Sequence, residues 1–320
     1  MISVFTTPKP FCGHIDVIQR NALKSWKNLF PDVEVILIGN DEGAEQVCQE
    51  LGLRHMSHVD RKEDGTKSVR SLFYQAQEIA RYELLCFCNC DIILTHDFAR
   101  ALKSVYGWQQ RFLMIGRRWD LDVVEELDFA LPSWQVQITE RARREGFQRL
   151  YYNIDYFAFN KNLFRGIPDL VVGRNWWDQW LVWRAGDCGV PVVDVSDMVC
   201  AIHQNHDYSY HPQGMDGVWY DDRTRSNFRS AGGWRHLHTI EDASHRLTFE
   251  GIQPNRCHWL APARRRVRRV NKAVRTLLRT QVWHPFLNMT RSARWALGVR
   301  REMFKSAPRK NAPRRHWLDK

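Results

Sequence analysis

Two oxygen-bearing side chains stand one residue apart where a strongly apolar segment is interrupted. The segment covers residues 84–94 and contains the sequence Asn89-Cys90-Asp91. In an extended chain, positions 89 and 91 project to the same side. Such a pair of oxygen ligands suits Mg²⁺ or Mn²⁺, which can in turn bridge a diphosphate. The alternative is that both residues only end a strand and cap the next turn.

Histidines concentrate in residues 201–211, directly after a short apolar run. His203 and His206, spaced i, i+3, could offer imidazole nitrogen atoms to a metal ion or a donor to a phosphate group. An aromatic, hydrogen-bonded loop without a ligand is the alternative.

A third segment surrounds one acid with indole rings. Asp178 stands among Trp176, Trp177, Trp180 and Trp183, which fall at helical spacing. Partial desolvation there would raise the carboxyl pKa, as suits a general base, and the aromatic faces would suit a sugar ring. The alternative is that the tryptophans are core. Asp155, before a predicted strand at residues 156–159, has the same two interpretations.

Two arginines lie at and just after the end of the strand predicted over residues 111–117. Arg117 and Arg118 could contact phosphate groups bidentately. They could equally form salt bridges with Asp120 and Asp122, which follow within five residues.

These residues need a scaffold, and the first 110 residues predict one of alternating strands and helices. A doubly wound, mostly parallel α/β sheet follows from that alternation. Ligands of such sheets bind beyond the carboxyl ends of the strands, here residues 6–10, 39–41 and 84–89. The predicted strands are 2–6, 33–38, 84–94, 111–117, 156–159, 191–195 and 198–202; the predicted helices are 15–28, 42–51, 69–81 and 177–187; residues 203–233 are predicted as long loops.

Several function classes are disfavoured by what the sequence lacks. No G-x-G-x-x-G follows the first strand and no G-x-x-x-x-G-K-[ST] occurs, which argues against dinucleotide dehydrogenases and P-loop NTPases. The start of the sequence has no basic region followed by an apolar one, so a signal peptide is not expected. The eight cysteines form no C-x-x-C pair, which favours reduced thiols in the cytoplasm.

Taken together, the segments resemble nucleotide-sugar glycosyltransferases of the GT-A fold, more narrowly the bacterial and plant proteins related to family 2. The resemblance covers roughly residues 1–235 and is carried by residues 2–11, 19–26, 35–39, 89–93, 118–122, 177–181 and 203–209.

The resemblance implies transfer of a sugar from a nucleotide-sugar donor to a glycan or lipid-linked acceptor. The family's Asp-x-Asp motif would fall on Asn89 and Asp91, with Asn replacing the first Asp, and His203 or His206 would complete the shell of Mn²⁺ or Mg²⁺. Asp178, with Asp155 as the alternative, would be the acceptor-side acid. The remaining donor contacts would be Thr6, Thr7, Lys9, Arg117 and Arg118.

The charge of the chain is unevenly distributed. Of the net +11, residues 261–320 carry +16 and residues 1–260 carry −5. We therefore expect a GT-A-like domain over residues 1–260, with a nucleotide-binding half at about 1–110 and an acceptor half at about 111–260, followed by a basic helical extension at 261–320.

Within that extension, residues 264–304 carry apolar and aromatic side chains among arginines. Basic amphipathic helices of this kind bind anionic membrane surfaces, so a peripheral position on the inner membrane face is one expectation for a cytoplasmic protein. A nucleic-acid-binding arm, which only this tail supports, and a solvated tail are the alternatives.

Overall fold

The computed structural model describes residues 1–207 and 218–255, together with Ala263. The chain divides into two units, Met1–Ala261 and Pro262–Lys320, and the description below concerns the first. Within the described part of the chain, no helix combines the length and apolar character that crossing a bilayer requires.

The first unit is built on a nine-stranded mixed sheet, and most of its strand pairs are parallel. Its strand order is β13-β12-β10-β6-β9-β4-β1-β2-β3. The predicted α/β class with a large, mostly parallel sheet is thereby confirmed. The strands are β1 Ser3–Thr6, β2 Glu34–Ile38, β3 Arg54–Met56, β4 Leu84–Cys88, β6 Leu113–Ile115, β9 Tyr156–Asn160, β10 Val192–Asp194, β12 His245–Thr248 and β13 Gly251–Pro254.

Helices cover both faces of this sheet. The central strands are buried along their whole length, as expected of strands sandwiched between helices. Phe5, Phe73 and Phe87 meet edge-on or stacked on one face, and Trp26 packs in the core on the other. The helices are α1 Gly13–Lys27, α2 Ala44–Leu51, α3 Val69–Ile79, α4 His96–Trp108, α5 Trp134–Glu145, α6 Trp177–Asp187 and α7 Asp222–Ser230.

A second sheet of four strands lies in the same unit. Its order is β5-β11-β7-β8, formed by β5 Ile92–Ile93, β11 Ala201–Gln204, β7 Arg118–Leu121 and β8 Phe147–Gln148. The prediction of a single strand over residues 84–94 is therefore wrong. The chain leaves the main sheet after β4 and enters the second sheet at β5, so residues 89–91 form the link between the two sheets.

The other sequence predictions agree with the structure only in part. Helix α6 has the predicted bounds, and α2 ends at Gly52, whose φ of 62° is the left-handed cap that glycine favours. The loop predicted over residues 203–233 is wrong where α7 lies. That helix begins at the cap Asp221, whose side chain accepts the Thr224 N–H, although it carries few apolar residues.

Candidate functional site

The link between the two sheets brings one carboxylate against two imidazoles. Asp91 Oδ2 lies 3.3 Å from His206 Nε2 and 3.8 Å from His203 Nε2. One ligand atom from each of the three residues can be chosen so that all lie within 4.8 Å of one another. Residues more than 110 positions apart thus form one cluster, called here the ligand cluster: Asp91, His203 and His206.

Strand register places His203 in this cluster. β11 lies between β5 and β7, so His203 pairs with Ile92 on one side and with Asp120 on the other. The next residue, the fully buried Gln204, donates its backbone N–H to the Asp91 carbonyl oxygen at 3.1 Å. The backbones of both ligand residues are therefore fixed by the second sheet.

Lys9 joins the ligand cluster from the loop after β1. Its Nζ lies 3.1 Å from His206 Nε2, and its backbone N–H and carbonyl both bond the side-chain amide of Gln19 in α1. Burial lowers the pKa of Lys9, and the charge of Asp91 opposes that effect. The Lys9 amino group thus lies beside the ligand cluster, where burial opposes its charged form and Asp91 favours it.

The protonation of Asp91 is set by these neighbours. Burial favours the neutral acid, but His203, His206 and Lys9 together hold the pKa of Asp91 well below its usual range. Asp91 is therefore a carboxylate, the form that can bind a cation.

Several buried polar atoms of the ligand cluster and of the predicted site residues find no hydrogen-bond partner among the described residues. They are the Thr6 and Thr7 hydroxyls, Asp91 Oδ1, Asp155 Oδ2 and His203 Nδ1. Buried polar groups are normally paired, so such a concentration is a signature of a site that receives a ligand, an ion or water.

The Asn89 side-chain amide bonds Asp155. Its Nδ2 donates to Asp155 Oδ1 at 2.7 Å, and Arg118 Nη1 donates to the same oxygen at 2.8 Å. Asn89 thus belongs to a buried polar chain, and Asp155 is an ion-pair partner of Arg118.

The two predicted arginines diverge. Arg118 is buried and also donates from Nε to Asp120 Oδ1 at 2.9 Å, so the salt-bridge alternative describes its contacts. Arg117 points elsewhere, with Nη2 3.8 Å from Asp197 Oδ1. The structure does not bring Arg117 to the ligand cluster.

Asp178 lies in the first turn of α6, after Trp176, which has a φ of 89°. Burial raises the pKa of Asp178 to about 7, and the charge of Asp155 adds to the rise, although nearby backbone N–H groups oppose it. Trp177 and Trp180 are core residues, as the alternative interpretation has it, whereas Trp176 and Trp183 are partly buried. Asp178 is poised to accept a proton near neutral pH.

Sequence reasoning missed one buried ion pair beside Thr7. Lys67 Nζ lies 2.5 Å from Asp41 Oδ2, and Gly39 allows this approach because a Cβ there would lie 2.9 Å from that oxygen. The rule on strand ends points to residues 39–41, but no local pattern singles out Lys67. Asp120 and Arg149, whose side chains meet at 2.5 Å, were likewise not predicted as partners.

No protein-family model and no curated protein matches this chain. Among solved structures, it is similar to residues 1–349 of TarS from S. aureus in complex with UDP-GlcNAc, with 12% identity and a TM-score of 0.48. That alignment covers 72% of this chain and 65% of TarS 1–349, so this chain spans slightly less than two thirds of that protein. It is also similar to glucosyl-3-phosphoglycerate synthase from Mycobacterium tuberculosis in complex with Mg²⁺ and UDP, with 13% identity, a TM-score of 0.43, and coverage of 73% and 80%.

Proposed function

We propose that this protein is a glycosyltransferase that moves a sugar from a nucleotide-sugar donor to an acceptor hydroxyl. The observation that carries the proposal is the ligand cluster beside Lys9, at the carboxyl ends of β1 and β4. Breaking the donor's glycosidic bond leaves charge on a nucleoside diphosphate, which preorganised cationic groups would stabilise.

The donor side of the site comprises the ligand cluster, Lys9, Thr6 and Thr7. Lys9 would contact a diphosphate oxygen directly, because its ammonium group already faces the cluster. The two threonine hydroxyls, buried and unbonded among the described residues, would take hydrogen bonds from or give them to the donor. Asn89 and Arg118 would support this side through Asp155 and Asp120 without contacting the donor.

A divalent cation fits the ligand cluster. The unpartnered Asp91 Oδ1 and the two imidazoles offer one oxygen and two nitrogen donors. Mg²⁺ prefers oxygen ligands throughout, so this donor set favours Mn²⁺. When bound, the cation would supply Lewis-acid stabilisation of the diphosphate.

Asp178 would be the general base that accepts the proton of the acceptor hydroxyl. Its pKa of about 7 matches this task, whereas Asp155 is ion-paired with Arg118. Trp176 packs against Phe228 and Trp234, and Trp183 stacks on His236, so only the indole surface that these contacts leave exposed would meet a sugar ring.

The acceptor we propose is a glycan or a lipid-linked sugar, reached by a cytoplasmic protein on the inner membrane face. The basis is the basic, aromatic sequence of residues 264–304, which lies outside the described residues. Sedimentation of the full chain with anionic but not with neutral liposomes is expected. Equal sedimentation with both would remove the membrane proposal.

A catalytically silent scaffold that binds a nucleotide or glycan without turnover is the second candidate. It is favoured by Asn89, which supplies no carboxylate and donates to Asp155. A nucleic-acid-binding role has only the basic tail in its support.

The experiment that separates these candidates is a transfer assay with a panel of nucleotide sugars, with and without Mn²⁺. Transfer or donor hydrolysis by the wild type, lost in Asp91→Ala, supports the enzyme. Donor binding without any turnover across the panel would support the silent scaffold.

A further inference from the structure

The His203 ring lies between two carboxylates of different surroundings. On one side, Nε2 is 3.8 Å from Asp91 Oδ2 in the ligand cluster. On the other side, Nδ1 is 3.4 Å from Asp120 Oδ1 on the neighbouring strand, which is longer than a formed hydrogen bond, and Nδ1 has no hydrogen-bond partner among the described residues. The parallel pairing of β7 with β11 creates this second approach, because His203 and Asp120 are register partners.

Asp120 is itself held by two arginines, one of which bonds the same oxygen that faces His203. Arg118 Nε donates to Oδ1 at 2.9 Å and Arg149 Nε donates to Oδ2 at 2.5 Å. Arg118 continues to Asp155, which accepts from Asn89. This buried chain leaves the Asp120 carboxylate little freedom to turn away from His203.

We propose that Asp120 is a positioning residue, which accepts the Nδ1 proton of His203 so that the Nε2 lone pair faces Asp91 and a divalent cation. The proposal rests on the cation site of the proposed function. Metal-bound histidines generally need such a partner, which fixes the tautomer and ring plane, and its loss typically costs 10–100-fold in metal affinity.

The chain provides a matched control two residues away. Asp122 is exposed and lies just after β7. It accepts a 2.7 Å hydrogen bond from Asn205 Nδ2, whereas Asp120 faces His203. Both acids therefore face a residue of the segment that contains the ligand histidines, but only Asp120 faces an imidazole of the ligand cluster.

Isothermal titration of the full chain with Mn²⁺ alone tests the proposal. We expect Asp120→Asn to weaken Mn²⁺ binding roughly 10–100-fold. We expect Asp122→Asn to change it by less than about twofold, since it removes a comparable charge away from His203. Equal losses in both variants, or no loss in Asp120→Asn, would overturn the proposal, as would a wild type that binds no Mn²⁺.

A double-mutant cycle separates positioning from simple loss of negative charge. In a His203→Gln background, Asp120→Asn should have little further effect on Mn²⁺ affinity, because the ring that it orients is gone. The same 10–100-fold loss in that background would show that Asp120 acts by charge alone and would overturn the proposal.

Because Asp120→Asn deprives the buried Arg118 and the partly buried Arg149 of a carboxylate partner and can impair folding, a measurement on the wild type is also needed. Nitrogen NMR of the metal-free protein at alkaline pH should show His203 protonated at Nδ1. Protonation at Nε2 would overturn the proposal. None of these readouts uses a nucleotide sugar, so absence of sugar transfer would contradict the proposed function and leave this inference standing.

Discussion

Asp91 and Asp178 are both carboxyl groups withdrawn from water, yet their pKa values move in opposite directions. Asp91, at the junction of the two sheets, has Lys9 and two imidazoles around it, and its pKa lies well below the usual range. Asp178, at the start of α6, has tryptophans and the like charge of Asp155 around it, and its pKa rises to about 7.

The difference shows that burial alone does not set the role of an acid. Both sites penalise the charged form, and the neighbouring charges decide which form persists. Two titratable groups with pKa values driven apart are the usual arrangement of a site that binds charge at one end and exchanges a proton at the other. The difference supports the proposal that Asp91 binds the cation and the diphosphate and that Asp178 transfers the proton.

Removing the carboxylate of the ligand cluster should have the largest effect on sugar transfer. Asp91→Ala should lower kcat/KM for sugar transfer by about 10³-fold or more, because the diphosphate then loses its cation and its charge stabilisation. Steady-state kinetics with the donor identified by the panel measures this. Asp32 is an exposed acid just before the amino end of β2. As a control, Asp32→Asn should have the same kcat/KM as the wild type.

Replacing the other acid should affect turnover and spare donor binding. Asp178→Asn should lower kcat about 10²–10³-fold, with donor affinity changed by less than about twofold. In the wild type, kcat should rise with pH and level off above about 7, as the base form of Asp178 accumulates. A flat profile between pH 5 and 9 would contradict the assignment of the base.

The same substitution, which lowers kcat, should raise the stability of the folded protein at alkaline pH. The pKa of Asp178 in the folded protein, about 7, exceeds its ordinary value of 3.8, so the folded protein binds more protons between these values. The stability contributed by the protonated acid is complete below about pH 4 and is lost as the pH rises through 7. Asp178→Asn should therefore be more stable than wild type at pH 8, by on the order of 3 kcal/mol, and little changed at pH 4.

Urea unfolding of both proteins at the two pH values measures this difference. Because other groups titrate identically in wild type and variant, only the difference between them is informative. A difference that does not grow with pH would mean that Asp178 is not desolvated as the structure indicates.

A smaller effect is expected at position 89. Asn89→Asp would create the Asp-x-Asp pattern of the glycosyltransferases that the sequence resembles, but it would set a second carboxylate against Asp155, which is now 2.7 Å from the Asn89 amide. We expect a loss of about 1–2 kcal/mol in the free energy of unfolding, since a donated hydrogen bond becomes a repulsion that Arg118 offsets only in part. A stabilised variant with tighter Mn²⁺ binding would show that Asn89 can turn toward the ligand cluster.

The sequence predicts the individual chemistry of Asp91, His203 and His206, because each follows an apolar run that reads as a strand. Their meeting depends on β11 pairing with the two-residue strand β5, and no local periodicity reveals so short an element. The resemblance to GT-A glycosyltransferases, carried by short motifs, implies that Asp91 and a downstream histidine lie close together.

Local sequence patterns also do not predict which group the Asn89 side chain contacts. β9 runs antiparallel to β4 with Cys88 opposite Tyr156, and this register sets Asp155 beside Asn89. A pairing between residues 66 positions apart thus decides whether the amide faces a metal site or a carboxylate. Helix α7 was missed because its apolar content is low, although the cap at Asp221 is a local signal.

Titration of the wild type and Asp91→Ala with each common nucleoside diphosphate, with and without Mn²⁺, tests the central claim most directly. The account predicts that at least one nucleotide binds the wild type more tightly when Mn²⁺ is present, and that Asp91→Ala loses this enhancement. Nucleotide binding of equal affinity in both proteins, unchanged by Mn²⁺, would contradict it.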